Sequence, residues 1–178
     1  KESLKNKIIQ MEDFKKSIKK DNKYKEVFLK DLEDKIEISK KLKEQFDFSI
    51  ISKMSIMNSH GDYSVQQLIY NNEKETSVID FESAKRLPIM WEIIRSYTYI
   101  DKDVKNGEMN IDTFVEYVNE ISKYVELNEF DLKYCAYIYL IQIVGSLYGY
   151  KQYNENYEQT ELLNQTSELQ ANSLEVKY

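Results

Sequence analysis

Three side chains in the middle of the chain have the types and the spacing that phosphoryl transfer requires. Asp62 ends the tripeptide His-Gly-Asp, Gln67 stands five residues further on, and Asp80 lies in the run Ile-Asp-Phe-Glu. In such a site one carboxylate orients and accepts the proton of an attacking hydroxyl, while an amide oxygen and a second carboxylate hold magnesium against the nucleotide phosphates. Asp62 is the candidate for the first role, and Gln67 and Asp80 are the candidates for the metal.

A short β-hairpin is predicted to position these side chains. Two apolar runs, Gln67–Tyr70 and Ser77–Phe81, flank the polar stretch 71–75. Short runs rich in β-branched and aromatic residues with turn formers between them are typical of hairpins. Asp80 falls inside the second run, and a carboxylate is costly to bury in a strand unless something binds it. A surface-facing strand position is the simpler interpretation of Asp80, but the spacing favours a role in binding metal.

The same residues resemble a known family. The aminoglycoside phosphotransferase and choline kinase-like family, small-molecule relatives of the protein kinases, has the pattern His-Gly-Asp, four residues, Asn, then a strand ending Ile-Asp-Phe/Trp-Glu/Asp. Residues 60–62, Gln67 and 79–82 of this chain are similar to that pattern, and 87–95 resembles the helix that follows the metal-binding strand. Each motif alone is weak, but three motifs in order make a fairly specific signal. The specific part covers 58–95.

The resemblance implies a fold class and a reaction. The fold would be α+β and mostly helical, a protein-kinase-like C-terminal lobe in which a small β-hairpin carries the catalytic and metal-binding residues. The reaction would be transfer of the γ-phosphoryl of ATP or GTP, with Mg²⁺, to a hydroxyl of a small molecule such as an aminoglycoside or an amino-alcohol.

The resemblance also assigns roles to individual residues. Asp62 would orient and deprotonate the acceptor hydroxyl, and Gln67 and Asp80 would hold magnesium on the phosphates. His60, the single histidine of the chain, would pin the loop by hydrogen bonds. Glu82 would assist through water or through a contact behind the metal ligands.

One departure from the family pattern leaves a second function open. Gln67 replaces the usual Asn, which keeps the amide oxygen but adds a methylene group. Magnesium demands near-octahedral geometry, so the longer side chain weakens the expected metal site. The alternative is therefore a catalytically degenerate kinase-like binding module, or pseudoenzyme. A further alternative is a helical interaction protein in which the motif match is accidental.

No nucleotide-binding lobe is recognisable in the sequence. The four glycines, at 61, 107, 145 and 149, form no glycine-rich loop, and no Val-Ala-x-Lys strand precedes the motif. A complete kinase of this kind has both features. We therefore expect 1–178 to be a single domain, the C-terminal lobe without its N-terminal nucleotide lobe, which by itself transfers phosphate poorly.

The composition limits the classes of partner that the protein can bind and the compartment in which it is expected. The net charge of -6 argues against nonspecific binding of nucleic acid. No apolar run approaches the roughly 20 residues that cross a bilayer. The single cysteine, Cys135, permits no intramolecular disulfide and is interpreted as a core thiol. These features predict a cytoplasmic protein that does not act on membranes or nucleic acids.

Outside the motif, apolar residues at three- and four-residue steps predict helices. The predicted ranges are 1–20, 24–46, 90–100, a helix capped by Asn110 or Asp112, 128–150, and a last helix within 153–178. The segment 128–150 is the most hydrophobic and is expected to be one central helix. Glu92 and Arg95 are expected to pair with each other or with other charges of the lobe.

Overall fold

The structure is a computed structural model that describes residues 1–19, 22, 24–71, 75–106 and 108–155 of the 178-residue chain. Most of these residues are helical and the strands are few and short, which confirms the predicted α+β, mostly helical class. The chain divides into two compact units, one of 1–48, 105–108 and 140–178, the other of 49–104 and 109–139. A single domain over 1–178 stays a prediction.

The described residues form α-helices in every region where the sequence predicts them. Their bounds are α1 (Glu2–Ser17), α2 (Lys25–Gln45), α3 (Ile89–Ile100), α4 (Ile111–Ile121), α5 (Glu129–Ile143) and α6 (Tyr148–Glu155). Asn110 caps α4, because its side-chain oxygen accepts a hydrogen bond from the Thr113 N–H at 3.2 Å. Within this described part, no helix combines the length and the apolar character that crossing a bilayer needs.

The prediction of one long helix over 128–150 is wrong. Helix α5 ends at Ile143 and α6 begins at Tyr148, so four residues interrupt the expected helix. Of the last predicted helix, only the part up to Glu155 is described, and 156–178 lie outside the described residues.

Two lysines from the first helices stabilise the end of α5. Lys7 donates its Nζ to the carbonyls of Ile141 at 3.2 Å and Gln142 at 2.9 Å, and Lys35 donates to the carbonyl of Ser146 at 2.9 Å. Cations are favourable at the C-terminal end of a helix, where the last carbonyls have no partner within the helix. The interruption is therefore stabilised by partners more than 100 positions away in sequence, and no local pattern indicates it.

Two antiparallel strand pairs hold the predicted motif. The hairpin pairs β2 (Leu68–Tyr70) with β3 (Thr76–Val78), as the sequence predicts. The second pair, β1 (Ile56–Ser59) with β4 (Lys85–Pro88), is not predicted from the sequence. Because Ser59 lies opposite Lys85 in the second pair, the two ends of the segment 60–84 are held together.

The second unit has a hydrophobic core of its own. Its buried members are Met54, Met90, Ile93, Ile94, Val118 and Ile138. Cys135 packs against this cluster, as predicted for a core thiol, and burial raises the pKa of its thiol. Helix α3 supplies three of the six buried core residues, so packing in this core determines its position within the unit.

Candidate active site

The loop 60–63 is anchored by one buried carboxylate, that of Glu92. Its Oε2 accepts the backbone N–H of His60 at 2.8 Å, and its Oε1 accepts those of Gly61 at 2.7 Å and Tyr63 at 3.4 Å. Only 9 % of Glu92 is exposed, so the carboxylate depends on these donors for the hydrogen bonds that water would otherwise supply. Helix α3 thereby determines the path of the backbone on both sides of Asp62.

Gly61 lets the loop approach the segment that follows the hairpin. Its φ of +81° lies in the left-handed region that glycine adopts without steric cost. A Cβ atom at this position would lie 2.2 Å from the carbonyl oxygen of Ser83. The two backbones therefore touch at a distance that no other residue type permits.

His60 makes a second connection to the same segment. Its Nε2 lies 2.7 Å from the carbonyl oxygen of Ile79, and because a carbonyl only accepts, Nε2 carries the proton. The imidazole ring also packs against Phe81, with ring centroids 4.7 Å apart. The loop that carries Asp62 is thus joined to the residues on both sides of Asp80.

Asp62 is held by an arginine from α3. Arg95 Nη2 forms an ion pair with Asp62 Oδ1, and Arg95 Nη1 donates to the carbonyl of Tyr63 at 2.9 Å. Asp62 Oδ2 accepts no hydrogen bond from any described residue, and 43 % of the side chain is exposed. The sequence predicts that Arg95 pairs either with Glu92 or with another charge. In the structure Arg95 pairs with Asp62, and Glu92 binds backbone N–H groups instead.

Asp80 does not lie inside a strand, and this part of the prediction is wrong. Strand β3 ends at Val78, and Asp80 precedes a short 3₁₀ helix, Phe81–Ser83, with φ 65° and ψ 57°. It is the single non-glycine residue with positive φ in the described part of the chain. Such conformations are uncommon, are best tolerated by Asp and Asn, and cluster at functional sites.

The side chain of Asp80 is exposed and makes no hydrogen bond or ion pair with a described residue. Glu82, in the 3₁₀ helix, is likewise exposed and has no such partner there. Among the residues for which the structure gives positions, no group of three or more His, Cys, Asp or Glu side chains could hold a metal. A metal at this site would therefore need ligands beyond carboxylates, such as an amide oxygen and phosphate oxygens.

Gln67 lies beside the segment that leads to Asp80. Its backbone carbonyl accepts the N–H of Ile79 at 3.0 Å, and its side-chain Oε1 accepts the hydroxyl of Ser64. The hydroxyl of Ser64 also accepts the N–H of Gln66, which caps the 3₁₀ helix Val65–Gln67. The amide group that is predicted to bind metal is therefore oriented by a serine three residues before it.

Tyr63, the residue after Asp62 in the loop, keeps a neutral hydroxyl. Burial raises the pKa of the Tyr63 phenol, and Tyr117, Tyr70 and Glu92 raise it further by electrostatic interaction. The hydroxyl therefore stays protonated at neutral pH and is available for hydrogen bonding rather than for proton abstraction.

The roles of Glu92 and Arg95 toward the loop were not predicted from the sequence, although a signal for them exists. Both lie on α3 three residues apart, and residues at that spacing lie on the same side of a helix. Glu92 stands within an otherwise apolar run, and a carboxylate buried there needs hydrogen-bond donors. The sequence contains no sign that those donors are the backbone N–H groups next to Asp62.

Comparison of the chain with family models, with curated proteins and with solved structures found no match. Membership of the phosphotransferase family stays a prediction, which rests on the residues 58–95. The fold is α+β and mostly helical, and the site combines an oriented carboxylate, Asp62, with an exposed carboxylate, Asp80, in a left-handed backbone conformation.

Proposed function

We propose that this chain is the C-terminal lobe of a protein-kinase-like phosphotransferase, of the aminoglycoside phosphotransferase and choline kinase-like kind. The reaction is transfer of the γ-phosphoryl of ATP or GTP to the hydroxyl of a small molecule. The observation that supports it most is the contact of the loop 60–63 with the segment 79–83, through Gly61 and His60. It joins the loops of the two acids that the reaction needs, although the hairpin separates them in sequence.

Asp62 acts on the acceptor hydroxyl. Its free Oδ2 accepts the hydroxyl proton, the hydroxyl oxygen forms a bond to the γ-phosphorus, and the bond from that phosphorus to the bridging oxygen breaks. The products are a phosphate monoester, the nucleoside diphosphate and the proton taken up by Asp62. The exposure of Asp62 leaves room for a small acceptor beside Oδ2.

The donor atoms at Gln67 and Asp80 fit magnesium. Both supply hard oxygen atoms, which this cation prefers. The carboxylate of Asp80 has no partner among the described residues, and the amide oxygen of Gln67 keeps a second lone pair beside its bond to Ser64. Magnesium, when bound, neutralises charge on the phosphates. Glu82 supports the site through water or by contact with a metal ligand.

The test uses the full-length protein with magnesium, ATP or GTP, and four probe acceptors: kanamycin, choline, ethanolamine and glucose. We expect transfer to at least one probe, and a loss of roughly 10²-fold or more in kcat for Asp62→Asn and for Asp80→Asn. Asp112→Asn makes the same chemical change at an exposed position of α4 and should leave turnover unchanged. Unchanged turnover in either site variant would overturn the proposal.

A binding module that has lost transfer is the second candidate. It is favoured by Gln67, which stands where the family pattern has Asn and whose Oε1 is already occupied by a hydrogen bond from Ser64. Calorimetric titration of the full-length protein with ATP, with and without magnesium, separates the two functions. A transferase requires binding that depends on magnesium, whereas binding of equal strength without magnesium indicates the module.

A further inference from the structure

We infer that Arg95 is a positioning residue for phosphoryl transfer. It holds one carboxylate oxygen of Asp62 and leaves the other for the acceptor hydroxyl. The inference rests on the proposed function and adds to it a residue that the family motif, as it stands at 60–62, 67 and 79–82, does not contain.

Several groups hold the guanidinium of Arg95 in place. Nη2 pairs with Asp62 Oδ1 and lies 3.3 Å from the hydroxyl of Tyr99, while Nη1 donates to the carbonyl of Tyr63 at 2.9 Å. The guanidinium carbon also lies 4.9 Å from the centre of the Tyr99 ring. A planar guanidinium with fixed donors is oriented by contacts of this kind, and it orients its own partners in return.

The two charges of this ion pair differ in exposure to solvent. Only 15 % of the Arg95 side chain is exposed, against 43 % of that of Asp62. Exposed ion pairs contribute little because both side chains lose freedom to form them. Here the arginine is already restricted by α3, by Tyr63 and by Tyr99, so only the carboxylate loses freedom.

Two side chains of α3 bind different parts of the loop 60–63. Glu92 binds the backbone N–H groups of the loop, and Arg95 binds its Asp62 carboxylate and its Tyr63 carbonyl. The first contact determines the position of the backbone, and the second determines the rotation of the reacting side chain. A base that is misplaced by about 1 Å can cost 10²-fold in rate, so control of this rotation is a catalytic requirement.

The test measures kcat and KM of the full-length protein with Mg·ATP and whichever of the four probe acceptors the wild type phosphorylates. Arg95→Met keeps the apolar stem and removes the guanidinium. We expect its kcat to fall roughly 10²-fold, with KM for the acceptor and for Mg·ATP nearly unchanged, because the carboxylate is present but no longer oriented. Arg95→Lys should stay closer to Arg95→Met than to the wild type, because an ammonium cannot reproduce the guanidinium fork.

Chemical rescue distinguishes positioning from a merely structural role. Guanidinium ion added at concentrations below those that unfold the protein should restore part of the kcat of Arg95→Ala and none of that of Asp62→Asn. The control is Arg86→Met, since Arg86 is exposed and its guanidinium donates, among the described residues, to the carbonyl of Ile56 alone. Its kcat should not change.

Different results would contradict the role of Arg95 and the proposed function. If Asp62→Asn abolishes transfer but Arg95→Met keeps or increases kcat, Arg95 does not position the base and the proposed function stands. A joint change of KM, kcat and melting temperature in Arg95→Lys, without rescue of Arg95→Ala, also overturns the inference. If the wild type phosphorylates none of the probes, the proposed function fails and the role of Arg95 falls with it.

Discussion

The backbone N–H of Gly61 donates to the carboxylate of Glu92 at 2.7 Å, across 31 positions of sequence. This bond joins the loop of the candidate base to a helix that is packed into the core of its unit. The position of the loop is therefore determined by its contacts with α3 rather than by its own sequence. The consequences can be measured as stability and as activity.

Replacement of Glu92 should destabilise the protein. Glu92→Ala leaves the N–H groups of His60, Gly61 and Tyr63 without their acceptor. An unsatisfied buried donor costs about 1–3 kcal/mol. Because the His60 N–H is buried and the other two are partly buried, we expect the free energy of unfolding to fall by about 2 kcal/mol or more. Glu92→Gln keeps one acceptor oxygen and should lose less. Urea denaturation followed by circular dichroism measures both.

The control for Glu92 is Glu116→Gln, at an exposed position of α4, which should change stability by less than about 0.5 kcal/mol. Hydrogen exchange adds a local measurement, because the amides of 60–63 should exchange faster in Glu92→Gln than in the wild type. A wild-type exchange rate at these amides in Glu92→Ala would contradict the anchoring role.

Gly61→Ala should disrupt the contact between the two loops. An alanine at a φ of +81° costs about 1–2 kcal/mol, and its Cβ would also lie 2.2 Å from the carbonyl oxygen of Ser83. We expect a loss of stability above about 2 kcal/mol, together with loss of transfer. Gly145→Ala is not a suitable control, because a Cβ there meets the stem of Lys7. Ser83→Ala is suitable, since it keeps the backbone carbonyl.

Replacements of Asp80 should change stability according to the new residue, whereas all of them should abolish activity. Asp80→Gly relieves the left-handed conformation and should be at least as stable as the wild type, whereas Asp80→Ala should be less stable by about 1 kcal/mol. Asp80→Asn should match the wild type, because Asn tolerates this conformation. All three variants should lose magnesium-dependent transfer. Thermal melts measure the effect of the backbone strain on stability, and the transfer assay measures the effect of the lost carboxylate on catalysis.

The hairpin and most helices could be predicted because their signals are local. Strands β2 and β3 are runs of apolar and β-branched residues on either side of a polar stretch of sequence, and the helices have regular apolar steps. The pairing of β1 with β4 could not be predicted, since each strand has four residues and its partner lies far along the chain. The end of α5 escapes prediction for the same reason, because Lys7 and Lys35 stabilise it.

The candidate site likewise has a part that the sequence predicts and a part that it does not. The types and spacing of Asp62, Gln67 and Asp80 are visible in the sequence and carry the hypothesis of phosphoryl transfer. Their surroundings are not visible, because Glu92 and Arg95 reach the loop through the packing of α3. A motif specifies which groups react, whereas their orientation depends on contacts between residues distant in sequence.

Because of Lys35, the free energy of unfolding should rise as the pH increases in the alkaline range. Burial lowers the pKa of Lys35 to about 8 from 10.5, with Asp31 opposing the shift and Lys7 adding to it. Between about pH 8 and pH 10.5 the unfolded chain therefore keeps a proton that the folded chain has released. Because the unfolded state binds more protons there, the free energy of unfolding rises with pH, by roughly 3 kcal/mol across this range from Lys35 alone.

The measurement is urea unfolding of the wild type and of Lys35→Met from neutral pH to about pH 10.5. Other groups titrate in the same range, so the quantity of interest is the difference between the two proteins at each pH. Lys35→Met lacks the titrating group, and the wild type should therefore gain stability relative to it as the pH rises. Lys40→Met, at an exposed position of α2, should follow the wild type at every pH. Parallel curves for the wild type and Lys35→Met would show that Lys35 keeps its ordinary pKa in the folded protein.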